Sequence, residues 1–164
     1  MGRVWKFGDN INTDEIIPGR FNITTDPKAL AEHCLCELRP DFPSNVRPGD
    51  LIVAGNNFGT GSSREHAPIA IKAAGIKAVI AQSFARIFYR NSINVGLPVI
   101  ISEGIASLME ERDELEIEFE HFLLRNTKTG KTITLQPLPP FVFKIFKAGG
   151  IVPLLKEGVL EDLY

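Results

Sequence analysis

The spacing of apolar residues along this 164-residue chain changes from one region to the next, and each spacing predicts a different structure. Up to about residue 101, short runs of consecutive apolar residues alternate with stretches of helical spacing. From Asp113 onward, apolar and polar residues alternate one by one, as in strands with one exposed face. From Pro139 the helical spacing returns, and it is divided by Gly149 and Gly150.

The apolar runs of the first region predict parallel strands, because strands that alternate with helices are covered on both faces. These strands are GRVWKFG (2–8), LIVAG (51–55), IKAVIAQ (76–82) and LPVII (97–101). The predicted helices are DPKALAEHCLCEL (26–38), APIAIKAAG (67–75) and SFARIFYRNSINVG (83–96). Asp26 and Ser83 are candidate N-caps of the first and third helices, Pro27 takes the first helical position, and Gly75 ends the second helix.

The C-terminal region predicts an antiparallel layer followed by two short helices. Its strands are ELEIEF (114–119) and the two halves of FLLRNTKTGKTITLQ (122–136), joined by a turn at TKTGK. The helices fall in PPFVFKIFKAGGIVPLLKEGVLEDL (139–163), and DNINTDEIIPGRFNITTDP (9–27) is predicted to be a long polar loop. The predicted fold class is therefore α/β, with a parallel core over 50–101 and an antiparallel C-terminal layer, in a single domain over 1–164.

Composition and charge narrow the range of partners. A net charge of −2 attracts neither nucleic acid nor an anionic membrane surface. The sequence contains no stretch of about 20 apolar residues and no secretory leader, so we expect a cytoplasmic protein. His33, Cys34 and Cys36 lie in a predicted helix, where this spacing does not bring three ligands together. We therefore expect no metal site on this chain.

The segment GNNFGTGSSREHAP (55–68) lies where a predicted strand gives way to a predicted helix. A glycine-rich turn at this place presents unpaired backbone N–H groups at the positive end of the helix dipole, which favours an anion. Gly59 and Gly61 would permit left-handed backbone angles. The turn is therefore a candidate anion-binding site.

A second interpretation of the same segment is purely structural. Ser62 and Glu65 match the S-x-x-E capping box, which satisfies the end of a helix without any ligand. Pro68 argues against a helix that begins at Ser62, because it would then lie inside the helix. A helix that starts nearer Arg64 leaves Ser62 free and places a cation where a bound carboxylate would be favourable. Both interpretations stay open at this level.

Other phosphate-binding and catalytic motifs do not fit the spacing. The turn lacks the lysine of a P-loop, and Arg64 stands where the last glycine of G-x-G-x-x-G would be required. Neither Ser62 nor Ser63 lies in a G-x-S-x-G nucleophile elbow.

The segment GNNFGTGSSREHAPIAIKAAGIKAVIAQSFARIFYRNSINVGLPVI (55–100) resembles the swivelling domain of the aconitase family. A chain of this length that also contains KFGDNINTDEIIPGR resembles the family's free-standing small subunits, those of the 3-isopropylmalate dehydratases. The resemblance is strong over about the first hundred residues. It implies a swivelling β/β/α domain of aconitase type and a hydro-lyase that moves a hydroxyl group between neighbouring carbons.

The resemblance also implies roles for individual residues. Ser62 would be the base that removes a proton from a carbon next to a carboxylate, and Arg64 would bind a substrate carboxylate with help from Ser63. Asp14 matches an aspartate near the family's active site, although without the family it is equally well explained as a turn-forming residue. Arg86, on the predicted helix 83–96, could pair with Glu65 or Asp14 and so support the site, or could face water.

The cofactor and the partner follow from the same resemblance. In the family a [4Fe-4S] cluster, held by three cysteines of the large subunit, binds the substrate hydroxyl. Cys34 and Cys36 cannot supply three such ligands. The resemblance therefore implies no cofactor on this chain and a large-subunit partner that carries the cluster.

The loop after PGR bears on the choice of substrate. Relatives that act on an extra carboxylate place an arginine where Ile23 stands here, and an apolar side chain packs an isopropyl or methyl group instead. Phe21 lies in the same segment, and Arg20 is a candidate for a carboxylate that all these substrates share. A branched 2-hydroxy dicarboxylate such as isopropylmalate is favoured over homoaconitate. Dimethylmalate and citramalate stay open, as does a non-catalytic module that binds carboxylates.

Overall fold

The computed structural model describes residues 2–157, which form one mixed sheet of seven strands with helices packed on it. The strand order is β4-β3-β2-β1-β5-β6-β7. The strands are β1 (Gly2–Lys6), β2 (Leu51–Ala54), β3 (Ala78–Ala81), β4 (Val99–Ile101), β5 (Glu114–Glu118), β6 (Leu123–Asn126) and β7 (Thr132–Thr134). The helices are α1 (Thr13–Ile16), α2 (Pro27–Ala31), α3 (Phe42–Asn45), α4 (His66–Ala73), α5 (Arg86–Val95), α6 (Ile105–Leu108), α7 (Pro140–Ala148) and α8 (Ile151–Lys156), with a 3₁₀ helix at Gly19–Phe21.

Strand β1 joins a parallel half of the sheet to an antiparallel half. It runs parallel to β2, with Val4 opposite Leu51, and antiparallel to β5, with Gly2 opposite Leu115. The remaining pairs are parallel from β2 to β4 and antiparallel from β5 to β7. The predicted α/β class, with its parallel core and antiparallel C-terminal strands, is confirmed. The antiparallel strands continue the same sheet.

The two faces of the parallel strands belong to two separate apolar clusters. Ile52, Val79 and Val99 pack in a cluster that includes residues of α2, α4 and α5. Val53 and Ile80 point to the opposite face, where they join apolar residues of α6 and the antiparallel strands. Both faces are covered, which explains why these strands are uninterrupted runs of apolar residues.

The helix predicted over 26–38 is much shorter in the structure. It ends at Ala31, and the residues that follow form turns. Leu35 adopts a left-handed backbone with φ of 55°, and its N–H donates to the carbonyl of Ile16 at 2.7 Å. Asp26 stands at the N-cap position but makes no side-chain capping bond. A long-range backbone hydrogen bond thus replaces the continued helix.

Two further local predictions were wrong. The predicted loop 9–27 contains α1, which begins with a capping box between Asn12 and Glu15, and it also contains the 3₁₀ helix. Ser83 is not the N-cap of α5, because Ala85 holds that position. The Ser83 hydroxyl instead accepts a hydrogen bond from the backbone N–H of Asn57 at 2.7 Å.

The C-terminal helices are divided at the predicted place. Gly149 and Gly150 have φ angles of 89° and 133° and separate α7 from α8. The last part of the predicted segment, 158–163, lies outside the described residues. Within 2–157, no helix is both long enough and apolar enough to cross a membrane.

Candidate active site

The glycine-rich turn between β2 and α4 is held against the chain segment that leads into α1. The N–H of Gly59 donates to the carbonyl of Ile11 at 2.7 Å, and the N–H of Thr13 donates to the carbonyl of Thr60 at 2.8 Å. The Thr13 hydroxyl donates to the carbonyl of Ser62 at 2.9 Å. Three hydrogen bonds between segments distant in sequence therefore fix the turn before α4 begins.

Both glycines of the turn adopt the predicted left-handed conformation. Gly59 has φ of 85° and Gly61 has φ of 98°. A Cβ on Gly59 would also lie only 2.1 Å from Cγ of Phe88, so the α5 side chain packs directly on the glycine backbone. Glycine is required at residue 59 both for its backbone angle and for the close approach of a ring.

The hydroxyl of Ser62 does not cap α4. The N-cap position belongs to Glu65, which makes no side-chain capping bond, and α4 starts at His66, so Pro68 lies in the first turn where proline is tolerated. Ser62 is exposed, and among the described residues its hydroxyl has no hydrogen-bond partner. The capping-box interpretation is wrong, and the side chain is available to a ligand.

Arg64 and Asp14 form an ion pair across the turn. Nη1 of Arg64 lies 3.1 Å from Oδ1 of Asp14, with Arg64 half-buried and Asp14 exposed. The same Nη1 atom is buried, and the direction of its contact with Asp14 does not satisfy hydrogen-bond geometry. A Cβ on Gly19 would lie 3.0 Å from this nitrogen, so the loop after Pro18 also packs against the guanidinium. Arg64 is therefore positioned and still has unsatisfied donors.

A cavity of about 440 Å³ opens beside the turn. Ser62, Ser63 and Arg64 line one side, and Arg86 and Asn91 of α5 line another. The volume is sufficient for a small dicarboxylate, because pockets for small molecules begin at roughly 300 Å³. Thr13 and Thr60 also line the cavity, which therefore combines four hydroxyl-bearing side chains, two guanidinium groups and an amide.

Three predicted substrate-binding residues lie outside the lining of this cavity. Arg20 pairs with Glu37 and lies 4.5 Å over the ring of Phe21, which in turn stacks on His33. Ile23 is 91% exposed, on the segment between the 3₁₀ helix and α2. Gly19 links this loop to the cavity through its contact with Arg64. A ligand would contact these three side chains only if it extended beyond the cavity.

The two predicted supporting residues are placed differently from the pairing considered for them. Glu65 and Arg86 are both exposed, and in the described part of the chain neither forms an ion pair. Asp14 pairs with Arg64 instead. Two residues that line the cavity, Thr13 and Asn91, received no role from the sequence. Asn91 lies five residues after Arg86, which is not the i+3 or i+4 spacing that places two side chains on one helix face.

The cysteine-containing segment does not form a metal site. Cys34 is fully buried, and burial raises the pKa of its thiol well above the usual value. Within residues 2–157 no group of three or more His, Cys, Asp or Glu side chains could hold a metal ion. The donor set described for this chain does not fit an iron-sulfur cluster, which needs several cysteine thiolates.

Comparison with known proteins shows similarity over almost the whole chain. Residues 39–104 match the family described as the aconitase C-terminal domain. The chain is 53% identical over 161 residues to the isopropylmalate/citramalate isomerase small subunit of Methanocaldococcus jannaschii, with 98% of this chain and 96% of the relative covered. It is 52% identical over 163 residues to the 3-isopropylmalate dehydratase small subunit of Thermodesulfovibrio yellowstonii, with 99% and 97% covered. The crystal structure of a 3-isopropylmalate dehydratase from M. jannaschii superposes with a TM-score of 0.90 at 50% identity, covering 98% of this chain and 95% of that one.

Proposed function

This chain belongs to the family of 3-isopropylmalate dehydratase small subunits, and we propose that its turn at 59–64 supplies the proton-transfer side of that enzyme's active site. The enzyme is a hydro-lyase of leucine biosynthesis. It isomerises 2-isopropylmalate and 3-isopropylmalate by removing water and adding it back on the neighbouring carbon. The small subunit acts together with a large subunit.

We assign Ser62 as the base because its hydroxyl group has no hydrogen-bond partner in the described chain. It lines the cavity beside Arg64 and is not occupied in capping its own helix. A serine hydroxyl is a poor base in water, so its deprotonated form needs nearby positive charge. The guanidinium of Arg64 supports that form, as do the N–H groups of Ser63 and Arg64, which donate no hydrogen bond within the described chain.

The residues of this chain divide the work of the reaction. Arg64 binds a carboxylate of the substrate through its unsatisfied guanidinium donors, and Ser63 adds a hydroxyl contact. Charge on that carboxylate is neutralised, which lowers the barrier to removing the proton from the adjacent carbon. Ser62 takes this proton during dehydration and returns it during rehydration. Asp14 holds the guanidinium in place from outside the cavity.

The departure of the hydroxyl group requires chemistry from another chain. The family implies a [4Fe-4S] cluster that binds the hydroxyl, and the described residues of this chain do not fit such a cluster. We therefore assign the cluster to the large subunit. The exposed position of Ser62 and the open cavity fit an active site that is closed only in the assembled enzyme.

Citramalate is a second candidate substrate, because the relative from M. jannaschii is named for both isopropylmalate and citramalate. The two substrates differ in the size of an apolar group, which changes discrimination by only about 1–3 kcal/mol. Ile23 supports either substrate over one with an additional carboxylate, since it offers no charge to pair with it.

The test is made with the assembled enzyme under anaerobic conditions, by following the ultraviolet absorbance of the unsaturated intermediate. Ser62→Ala is expected to abolish turnover while the large subunit still copurifies. Ser107→Ala is the matched control, because the Ser107 hydroxyl donates to the carbonyl of Gly104, the N-cap of α6, and does not line the cavity. Full activity of the Ser62→Ala enzyme would refute the assignment of Ser62 as the base. Carboxylate binding by this chain alone, without any activity in the complex, would favour a non-catalytic module.

A further inference from the structure

We infer that Thr13 is a positioning residue that sets the orientation of Ser62 in the reaction. This inference rests on the proposed role of Ser62 as the base. Thr13 is the first residue of α1 and is only 3% exposed. Its hydroxyl donates to the carbonyl of Ser62 at 2.9 Å, and this is a contact between distant parts of the chain.

The hydrogen bond acts on the peptide unit that follows the proposed base. The carbonyl of Ser62 and the N–H of Ser63 belong to one planar trans unit and point in opposite directions. By holding the carbonyl, the Thr13 hydroxyl therefore directs the Ser63 N–H away from α1. The same bond restricts rotation of the Ser62 backbone, and with it the direction in which the serine hydroxyl is presented.

Thr13 is itself held firmly enough to act in this way. Its own N–H donates to the carbonyl of Thr60 at 2.8 Å, so its backbone and its side chain both bond to the turn. The preceding residue, Asn12, begins α1 with a capping box, and the following residue, Asp14, pairs with Arg64. Two consecutive residues, Thr13 and Asp14, thus connect α1 to the two residues with the central roles in the proposed mechanism.

The Thr13 bond matters because Ser62 follows a glycine-containing turn. Gly59 and Gly61 allow the tight path of the chain, but glycine restricts its own backbone less than any other residue does. Ser62 is exposed and follows Gly61 directly. Without the Thr13 bond, the described structure contains no hydrogen bond that holds Ser62.

The experiment compares Thr13→Val with Thr13→Ser in the assembled enzyme. Valine keeps the shape of threonine and removes the donor, whereas serine keeps the donor. We expect Thr13→Val to lower kcat by about ten- to one-hundredfold, as misplacement of a reacting group does, while KM changes by less than about threefold. Thr13→Ser is expected to restore most of kcat. Thr127→Val is the matched control, because Thr127 donates in the same way to the carbonyl of Glu114, outside the cavity.

A kinetic isotope effect separates positioning from general damage to the fold. The substrate carries deuterium on the carbon that loses its proton. A displaced base makes this transfer slower relative to the other steps, so the isotope effect on kcat should be larger in Thr13→Val than in the wild-type enzyme. A smaller fraction of folded enzyme would lower the rate and leave the isotope effect unchanged.

Wild-type kcat and an unchanged isotope effect in Thr13→Val would overturn the inference. The Ser62→Ala enzyme is measured alongside to separate the two proposals. If it is inactive, Ser62 remains the proposed base and only the role of Thr13 is refuted. If it is active, the assignment of Ser62 as the base is refuted as well. If Thr13→Val does not assemble, Thr13→Cys gives the same test, because it keeps a small side chain with only a weak donor. Equal kcat in the Cys and Ser variants would then count against the inference.

Discussion

Oδ1 of Asp14 lies 3.1 Å from Nη1 of Arg64, and this pair connects α1 to the turn that precedes α4. The carboxylate is the more exposed partner, so its charge is partly screened by solvent. We therefore expect the pair to contribute mainly to the orientation of the guanidinium, and less to the stability of the fold.

Replacing Asp14 with Asn should damage catalysis more than stability. The guanidinium of Arg64 loses its fixed counter-charge, and we expect kcat/KM to fall by about tenfold, consistent with loss of orientation in an active site. Steady-state kinetics of the assembled enzyme measure this change. Glu116→Gln is the control, because it removes the partner of Arg125 on neighbouring antiparallel strands. An equal loss of activity in both variants would contradict a specific role for Asp14.

Replacing Gly59 with Ala should destabilise the protein strongly. The residue has φ of 85°, and the added Cβ would lie 2.1 Å from Phe88 Cγ. Strain and overpacking together should lower the free energy of unfolding by about 2–5 kcal/mol, measured by urea denaturation. Gly104→Ala is the matched control, since φ there is 79° and no atom lies within 4 Å of the added Cβ. Similar losses in the two variants would show that the ring contact contributes little.

Replacing Asp50 with Asn should destabilise the start of β1. Asp50 is 2% exposed and accepts hydrogen bonds from Trp5 Nε1 at 3.0 Å and from Arg3 Nη2 at 3.0 Å. Loss of the carboxylate charge weakens the hydrogen bonds of the buried Trp5 indole and the partly buried Arg3, which should cost about 1–3 kcal/mol of unfolding free energy. Asp41→Asn, at an exposed carboxylate paired with Arg39, should change stability much less.

Asp50 also predicts how stability depends on pH. Burial opposes the charged form, but the hydrogen bonds from Trp5 and Arg3 outweigh it and hold the pKa of Asp50 below the usual value. This contribution to stability is complete above the unfolded-state pKa, at about 4, and is lost as pH falls through the lower folded-state pKa. Unfolding measured between neutral and acidic pH should show a smaller acid dependence in Asp50→Asn than in the wild-type protein. Parallel curves would contradict the assignment.

Replacing Ile23 with Arg should alter the choice of substrate. Ile23 is 91% exposed, so the fold accepts the change, and the new cation can pair with an additional carboxylate. We expect kcat/KM to rise for homoaconitate and to fall for isopropylmalate, measured in the assembled enzyme. Ile23→Val is the control and should keep the preference for the apolar substituent. An unchanged ratio in Ile23→Arg would place this side chain outside the substrate site.

The parallel part of the sheet was predictable because the apolar pattern of each strand indicates which of its faces are buried. LIVAG and IKAVIAQ are apolar on both faces, and both faces are covered in the fold. The early end of the helix predicted over 26–38 could not be predicted. It depends on a hydrogen bond from the N–H of Leu35 to the carbonyl of Ile16, and no local sequence pattern reveals such a partner. Asn12 and Glu15 have the spacing of a capping box, which would have indicated the start of α1. The proline and glycine that follow favoured a loop prediction for the whole segment.

The candidate site was predictable in part. Glycines at 59 and 61 and Pro68 indicated a tight turn and a late helix start, and these local features are present in the structure. The contacts of Asp14 with Arg64 and of Thr13 with Ser62 could not be predicted from local patterns, because each joins residues about 50 positions apart in the sequence. The family resemblance identified Asp14 as a residue near the active site, but it did not indicate which side chain Asp14 contacts.

The position of β1 in the sequence determines when its strand pairs can form during synthesis. It emerges from the ribosome before both of its neighbours, and its pairing residues lie at 51–53 on one side and 114–115 on the other. A nascent chain must therefore carry Val4 and Trp5, both buried in the finished fold, without a partner strand until much of the chain has been synthesised. Pairing between strands so distant in sequence slows folding and leaves the apolar side chains of β1 uncovered until its partner strands have been made.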